Sequence, residues 1–216
     1  MSDKSINLET LPRHYDSGRQ LHPEPAIWLF PDFASAKEIN ALRDAGRDQL
    51  QPAQVSGSAG GVLSAGRSGS NCWVPYDQNP VIRRVAKRIS LLVGIPLENA
   101  ESFQLVYYGP GEEYRPHYDA WDANTERGAR CMARGGQRLV TTLLYLNNVA
   151  GGGGTGFPNL RIDVDATPGS LLLFHNCPAG TALRHDDTLH AGLPVTEGEK
   201  WAANLWFRQR DYRLKT

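Results

Sequence analysis

Cysteine is scarce in this chain of 216 residues: Cys72, Cys131 and Cys177 are an odd number, widely separated and without CxxC spacing. That pattern argues against a disulfide framework and a structural zinc site, and makes reduced thiols in a cytoplasmic protein the expectation. An excess of charge is missing too, since 23 Lys and Arg residues balance 23 Asp and Glu residues, so nucleic acid is not an expected partner. No apolar run reaches the length of a membrane span, and Met1-Ser2-Asp3-Lys4-Ser5 begins a polar stretch where a signal sequence needs an apolar one. Neither insertion nor secretion is expected. There is no internal repeat.

What is present suits one domain: 40% of the residues are hydrophobic and 9% aromatic, at a length short for two independent cores. Pro12, Pro23 and Pro25 make residues 1–25 an irregular N-terminal arm carrying His14 and His22 in solvent, and the domain takes residues 26–216. Ile27-Trp28-Leu29-Phe30 reads as a short strand, after which Asp32 or Ser35 caps a helix from Ala36 to about Leu50, limited by Pro52. Gly57, Gly60, Gly61, Gly66 and Gly69 make residues 55–71 a mobile loop. A second helix follows Asn79-Pro80, with Val81, Ile82, Val85, Ile89 and Leu92 as its apolar stripe and Arg83, Arg84, Lys87 and Arg88 on the wet side. Gly94 and Pro96 end it, which puts helical support at about 32–95.

Beyond Glu101 the period changes. Phe103 to Tyr108, Arg138 to Leu146, Arg161 to Val164, Ser170 to Phe174 and Trp201 to Arg208 read as strands, giving a β core over about 101–210. Alternation in the last strand sets Trp201, Ala203, Leu205 and Phe207 on a packing face and Lys200, Ala202, Asn204 and Trp206 toward a cavity. Helices followed by strands, without βαβ alternation, predict an α+β, mainly β fold: a rolled antiparallel sheet buttressed by N-terminal helices.

The chemistry centres on His117-Tyr118-Asp119. On an extended strand that spacing puts the imidazole and the carboxylate on one face, and His190 in Leu189-His190-Ala191-Gly192 completes a set of two histidines and one carboxylate. Such a set holds non-haem Fe(II) and leaves coordination positions open for oxygen chemistry. Lys200, ten residues past His190, is the cation that an anionic second ligand requires. His175 and His185 compete as the distal ligand; His190 is preferred for its His-x-Gly-x-Pro-Val context and its step to Lys200.

These residues carry a resemblance. Tyr107-Tyr108-Gly109-Pro110-Gly111, Tyr114-Arg115-Pro116-His117-Tyr118-Asp119, Gly135-Gly136-Gln137-Arg138, Tyr145-Leu146-Asn147, Gly152 to Pro158, and His190 to Val195 with Gly198-Glu199-Lys200-Trp201 are similar to the catalytic region of the prolyl 4-hydroxylases, of the Fe(II) and 2-oxoglutarate dependent dioxygenase superfamily. Weaker similarity covers Trp28 to Ile39, and Arg67-Ser68 with Trp73, which resembles a substrate-side loop. The resemblance implies a double-stranded β-helix or jelly roll, with His117, Asp119 and His190 as catalytic iron ligands. It further implies Lys200 and Thr155 on the distal carboxylate of 2-oxoglutarate, Tyr108 hydrogen-bonded to the cosubstrate, and Tyr114, Arg138 and Trp206 near the substrate. The implied reaction hydroxylates a proline in a peptide or protein with O2, releasing succinate and CO2, with ascorbate as reductant. A same-superfamily enzyme of a free amino acid or small metabolite, and a non-catalytic cupin-like binding protein, are the competing readings. One departure stands out: Gly154 occupies the place of a family Glu, which puts local substrate contacts in question.

Overall fold

The computed structural model describes residues 5–56, 61–62 and 66–213. Its strands in chain order are β1 (Arg19–His22), β2 (Ile27–Phe30), β3 (Gln51–Pro52), β4 (Val55–Ser56), β5 (Gly61–Val62), β6 (Ser70–Val74), β7 (Phe103–Tyr108) and β8 (Tyr114–His117). The later ones are β9 (Arg138–Tyr145), β10 (Gly151–Gly152), β11 (Thr155–Phe157), β12 (Ile162–Val164), β13 (Leu171–His175), β14 (His190–Gly192), β15 (Val195–Glu197) and β16 (Lys200–Arg208). The helices are α1 (Ala36–Gly46), α2 (Pro80–Val93) and α3 (Glu126–Ala133).

Eight strands form an antiparallel sheet in the order β1-β2-β13-β9-β16-β7-β6-β3, and four form a smaller one in the order β12-β11-β14-β8. The period-2 pattern of β16 decides what each face of the large sheet meets. Trp201, Ala203, Leu205 and Phe207 join the core with Ile82, Val85, Ile89 and Val93 of α2 and Leu42 of α1. The other face packs on the smaller sheet: Tyr145, Leu172 and Phe174 share a second core with Phe157 and Val164, and the Phe157 and Phe174 rings meet edge-on at 5.2 Å. Two antiparallel sheets face to face, with helices behind the larger, make the expected jelly roll.

Local chemistry explains the helices. Ser35 and Glu38 form a capping box at the start of α1; Asn79 accepts from the Val81 and Ile82 amides at the start of α2, and Gly94 ends α2 at φ +68°, a left-handed turn that glycine adopts without strain. Arg88, expected on the wet face, instead crosses to α1, pairing with Glu38 at 2.9 Å and donating to the Phe33 carbonyl. That pair, with the Ser35 cap, pulls the Glu38 carboxyl down to about 2 against the effect of its partial burial.

Elsewhere the chain departs from expectation. The arm is not irregular throughout, because Arg19–His22 pairs with β2 and becomes the sheet edge. Main-chain pairing needs no apolar pattern. α1 stops at Gly46 and a 3-10 turn carries on to Gln49. Within the glycine-rich stretch, β4 pairs with β5, and Ser68 is tied to the Glu113 carbonyl by its amide and its hydroxyl; residues 57–60 and 63–65 of the expected mobile loop lie outside the described residues.

Candidate active site

Strand pairing assembles the three metal-ligand candidates. β14 runs antiparallel to β8 with His190 opposite His117, and the turn after β8 brings Asp119 between them. His117 Nε2 lies 3.8 Å from Asp119 Oδ1, His190 Nε2 lies 3.6 Å from Oδ2, and the three ligand atoms fall within 4.8 Å of one another. Each imidazole bonds a backbone carbonyl through Nδ1, His117 to Arg115 and His190 to Thr188, both at 2.9 Å. A carbonyl only accepts, so each Nδ1 carries the proton and each Nε2 lone pair points at the shared space.

The electrostatics favour the ligating forms of His117 and Asp119. Burial, then the neighbouring His190, holds His117 below the usual imidazole range. Burial works to raise Asp119, but His190, His117, Arg138 and the Trp206 hydrogen bond outweigh it and keep the carboxyl below the usual range. Neutral imidazoles and an ionised carboxylate are what a divalent metal needs.

Asp119 is held from behind. Its Oδ2 accepts from the Thr141 hydroxyl at 2.8 Å and the Trp206 indole N–H at 2.9 Å, and Asn176 donates to Thr141 at 2.9 Å. Trp206, expected near substrate, therefore also fixes the carboxylate. Arg138 lies 3.7 Å over the Trp206 ring and makes two bonds to Glu101, at 2.7 and 2.8 Å. It lines the cavity, but its charge is already engaged inside the protein by Glu101, which also takes Arg208 at 2.8 Å.

Across the cavity, Lys200 is 3% exposed, and its ammonium donates to the Gly154 carbonyl at 3.0 Å. Burial pushes its pKa down to about 7. Thr155 accepts from the Tyr145 hydroxyl at 2.8 Å, which leaves its own O–H free to donate; Tyr108, also buried, lines the same wall. Tyr114 stacks on His117 at 3.5 Å between ring centroids. Gly154 has a local reason: a Cβ there would come 2.7 Å from the Val164 carbonyl oxygen, so this backbone has no room for the Glu of the family pattern.

Neither competing histidine joins the cluster. His175 is buried against the Tyr15 hydroxyl at 2.9 Å, and His185 accepts from the Asp187 amide with its other nitrogen 3.7 Å from Glu24. Residues missed from sequence include Tyr145, Thr141, Gln104 and Trp121. For the first two the inward alternation of β9 was the available signal; for Gln104, that of β7.

The donor set fits the metal the spacing suggests. Two imidazole nitrogens and one carboxylate oxygen converge from one side and open on the cavity, a geometry suited to Fe(II). A buried ammonium with one neutral partner fits an incoming carboxylate.

Residues 103–208 match the family model described as the 2OG-Fe(II) oxygenase superfamily. The chain is 38% identical over 146 residues to a protein of Acanthamoeba polyphaga mimivirus inferred to be a prolyl 4-hydroxylase, covering 68% of this chain and 60% of that one. To the prolyl 4-hydroxylase subunit alpha-1 of Homo sapiens it is 32% identical over 194 residues, covering 89% of this chain and 36% of that one. Among solved structures, the viral collagen prolyl hydroxylase of Paramecium Bursaria Chlorella virus-1, in complex with 2OG, superposes with a TM-score of 0.67 at 28% identity, over 84% of this chain and 95% of that chain. The chain thus spans under two thirds of the length of these two sequence relatives.

Proposed function

Because the chain belongs to the prolyl 4-hydroxylase family of the 2OG-Fe(II) oxygenase superfamily, we propose that it hydroxylates proline within a peptide or protein, using Fe(II), 2-oxoglutarate and O2. One observation carries the reading: the His117, Asp119 and His190 donors open on the same enclosed space as the buried Lys200 ammonium. Iron, when bound, supplies the oxidising chemistry that couples loss of CO2 from 2-oxoglutarate to hydroxylation. His117, Asp119 and His190 would hold it, with the ring tautomers set by the Arg115 and Thr188 carbonyls and the carboxylate oriented by Trp206 and Thr141. Lys200 pairs with the distal carboxylate and Thr155, held by the Tyr145 hydroxyl, donates its free hydroxyl to it, while Tyr108 lines the wall and excludes water. Tyr114 and Trp206 line the space that would receive the proline ring.

A free amino acid needs a carboxylate for its ammonium, since an unpaired charge is costly to bury. Among the residues lining the cavity Asp119 is the one carboxylate, and it faces the metal position. Incubation of the Fe(II)-loaded protein with 2-oxoglutarate and ascorbate, plus either proline-rich peptides or free proline, tests the reading by mass spectrometry. A gain of one oxygen on peptide supports it; hydroxylation of free proline alone sinks it. A merely ligand-holding protein would consume no 2-oxoglutarate in either arm.

A further inference from the structure

We propose that the acceptor site selects a peptide with an acidic residue adjacent to the target proline, and that Arg67 and Arg127 bind that carboxylate. The inference rests on the peptide-hydroxylation reading above and adds the chemistry of the substrate. Four cationic side chains line the cavity, Arg67, Arg127, Arg138 and Lys200, against the single carboxylate of Asp119. Two have an assigned anion: Arg138 shares Glu101 with the buried Arg208, and Lys200 faces the cosubstrate. Iron and the 2-oxoglutarate dianion sum to zero and Asp119 offsets Lys200, so loading the site leaves Arg67 and Arg127 unanswered.

Arg67 is the stronger observation. It is 9% exposed, yet its hydrogen-bond partners among the described residues are neutral: the Gln54 carbonyl and the Gln104 amide oxygen, both at 3.2 Å. Its Nε is buried without an acceptor. A guanidinium withdrawn from water with no counter-charge is costly, and a carboxylate ligand removes that cost. Position then limits which carboxylate it is. Arg67 lies 4.6 Å over the Tyr114 ring, and Tyr114 lies 3.5 Å over His117, so the guanidinium is two stacking steps from a metal ligand. That reach suits the side chain next to the reacting proline, not a remote one. Arg127, on the exposed side of α3 at the cavity mouth, forms no ion pair among the described residues and adds a long-range attraction for the same charge.

The test uses the Fe(II)- and 2-oxoglutarate-loaded protein and a peptide set in which the residue beside proline is Asp, Asn or Lys. Oxygen incorporation gives kcat/KM, and fluorescence anisotropy without oxygen gives binding independently of turnover. The Asp peptide is expected to be favoured over the Asn peptide by about tenfold or more, as for a charge-assisted hydrogen bond, with Lys the poorest and added salt narrowing the spread. R67Q should bring the Asp to Asn ratio near one with the 2-oxoglutarate Kd unmoved, R67K should retain part of it, and R127Q should lower it less. If Asp and Asn peptides bind and react alike, charge selection is wrong while peptide hydroxylation stands; if only free proline reacts, both fail. R67Q weakening 2-oxoglutarate as much as Lys200→Ala would assign Arg67 to the cosubstrate and overturn the proposal.

Discussion

At the end of the cavity where His117, Asp119 and His190 meet, the ring nitrogens that face away from the metal position and one carboxylate oxygen all have protein partners. At the other end a buried ammonium has one carbonyl, and near the mouth a buried guanidinium has only neutral hydrogen-bond partners among the described residues. The difference separates two tasks. Groups that must hold a fixed geometry are held by the protein, whereas groups that wait for an exchangeable anion keep bonding capacity in reserve.

Removing a metal-ligand candidate attacks the pre-held end, and His117→Ala, Asp119→Ala or His190→Ala should each abolish turnover and lower Fe(II) affinity, measured by anaerobic metal titration, with the far-UV spectrum retained. Loss of metal binding in His185→Ala but not in His190→Ala would reverse the assignment of the distal ligand. Lys200→Ala attacks the waiting end: 2-oxoglutarate binding should weaken by about 2 to 5 kcal/mol, as when one partner of a secluded charge pair is removed, with iron affinity changing far less. An unmoved 2-oxoglutarate Kd would take Lys200 out of the site. Thr141→Val sharpens the contrast from behind Asp119, since losing a hydrogen bond to a ligating carboxylate costs roughly 10- to 100-fold in metal affinity; competition with a chelator reads it, and 2-oxoglutarate affinity measured at saturating iron should not follow.

The same comparison has a pH dependence. Lys200 has its pKa pushed down to about 7 by burial, and a bound carboxylate favours its cationic form. Affinity for 2-oxoglutarate should therefore be level below pH 7 and fall by about tenfold per unit above it, with proton uptake on binding visible as a buffer-dependent calorimetric heat near pH 8. The smallest effect lies outside the cavity. Glu38→Gln removes the Arg88 pair, whose arginine is 41% exposed and so screened, and should cost at most about 1 kcal/mol of stability with turnover unchanged. Because the folded Glu38 pKa is lowered to about 2, its contribution is present above the unfolded carboxylate range and fades as pH falls toward 2, so wild type and variant should converge in acid melts.

Much of this was legible in the chain because strands write their faces in alternate residues. Trp201, Ala203, Leu205 and Phe207 against Lys200, Asn204 and Trp206 gave both the core side and the cavity side of β16. The proximity of His117 and His190 came from motif context, and the pairing of β8 with β14 is its physical form. What stayed hidden depends on pairing between distant residues. Glu101 and Arg138 are 37 positions apart, and nothing local says that one neutralises the other. Arg67 sits at the end of a glycine-rich run whose composition reads as mobility, although its own side chain is buried. α3 separates Glu126, Arg127 and Arg130 from Gly128, Cys131 and Met132, but it is only eight residues long and buries Gly128 alone, too short and too polar a stretch to stand out. β1 is likewise polar and takes its strand form from its neighbour.

The two donors on Asp119 Oδ2 also bear on which ion a cell full of competing cations would deliver. With the Thr141 hydroxyl and the Trp206 indole occupying that oxygen, Asp119 is left with Oδ1 to offer and is poorly placed to clamp an ion through both oxygens. Calcium takes six to eight oxygen ligands and magnesium a near-ideal octahedron of them. A pocket that presents one such oxygen beside two imidazoles gives either ion little to gain, and turns the abundance of the alkaline earths aside in favour of a scarcer transition metal.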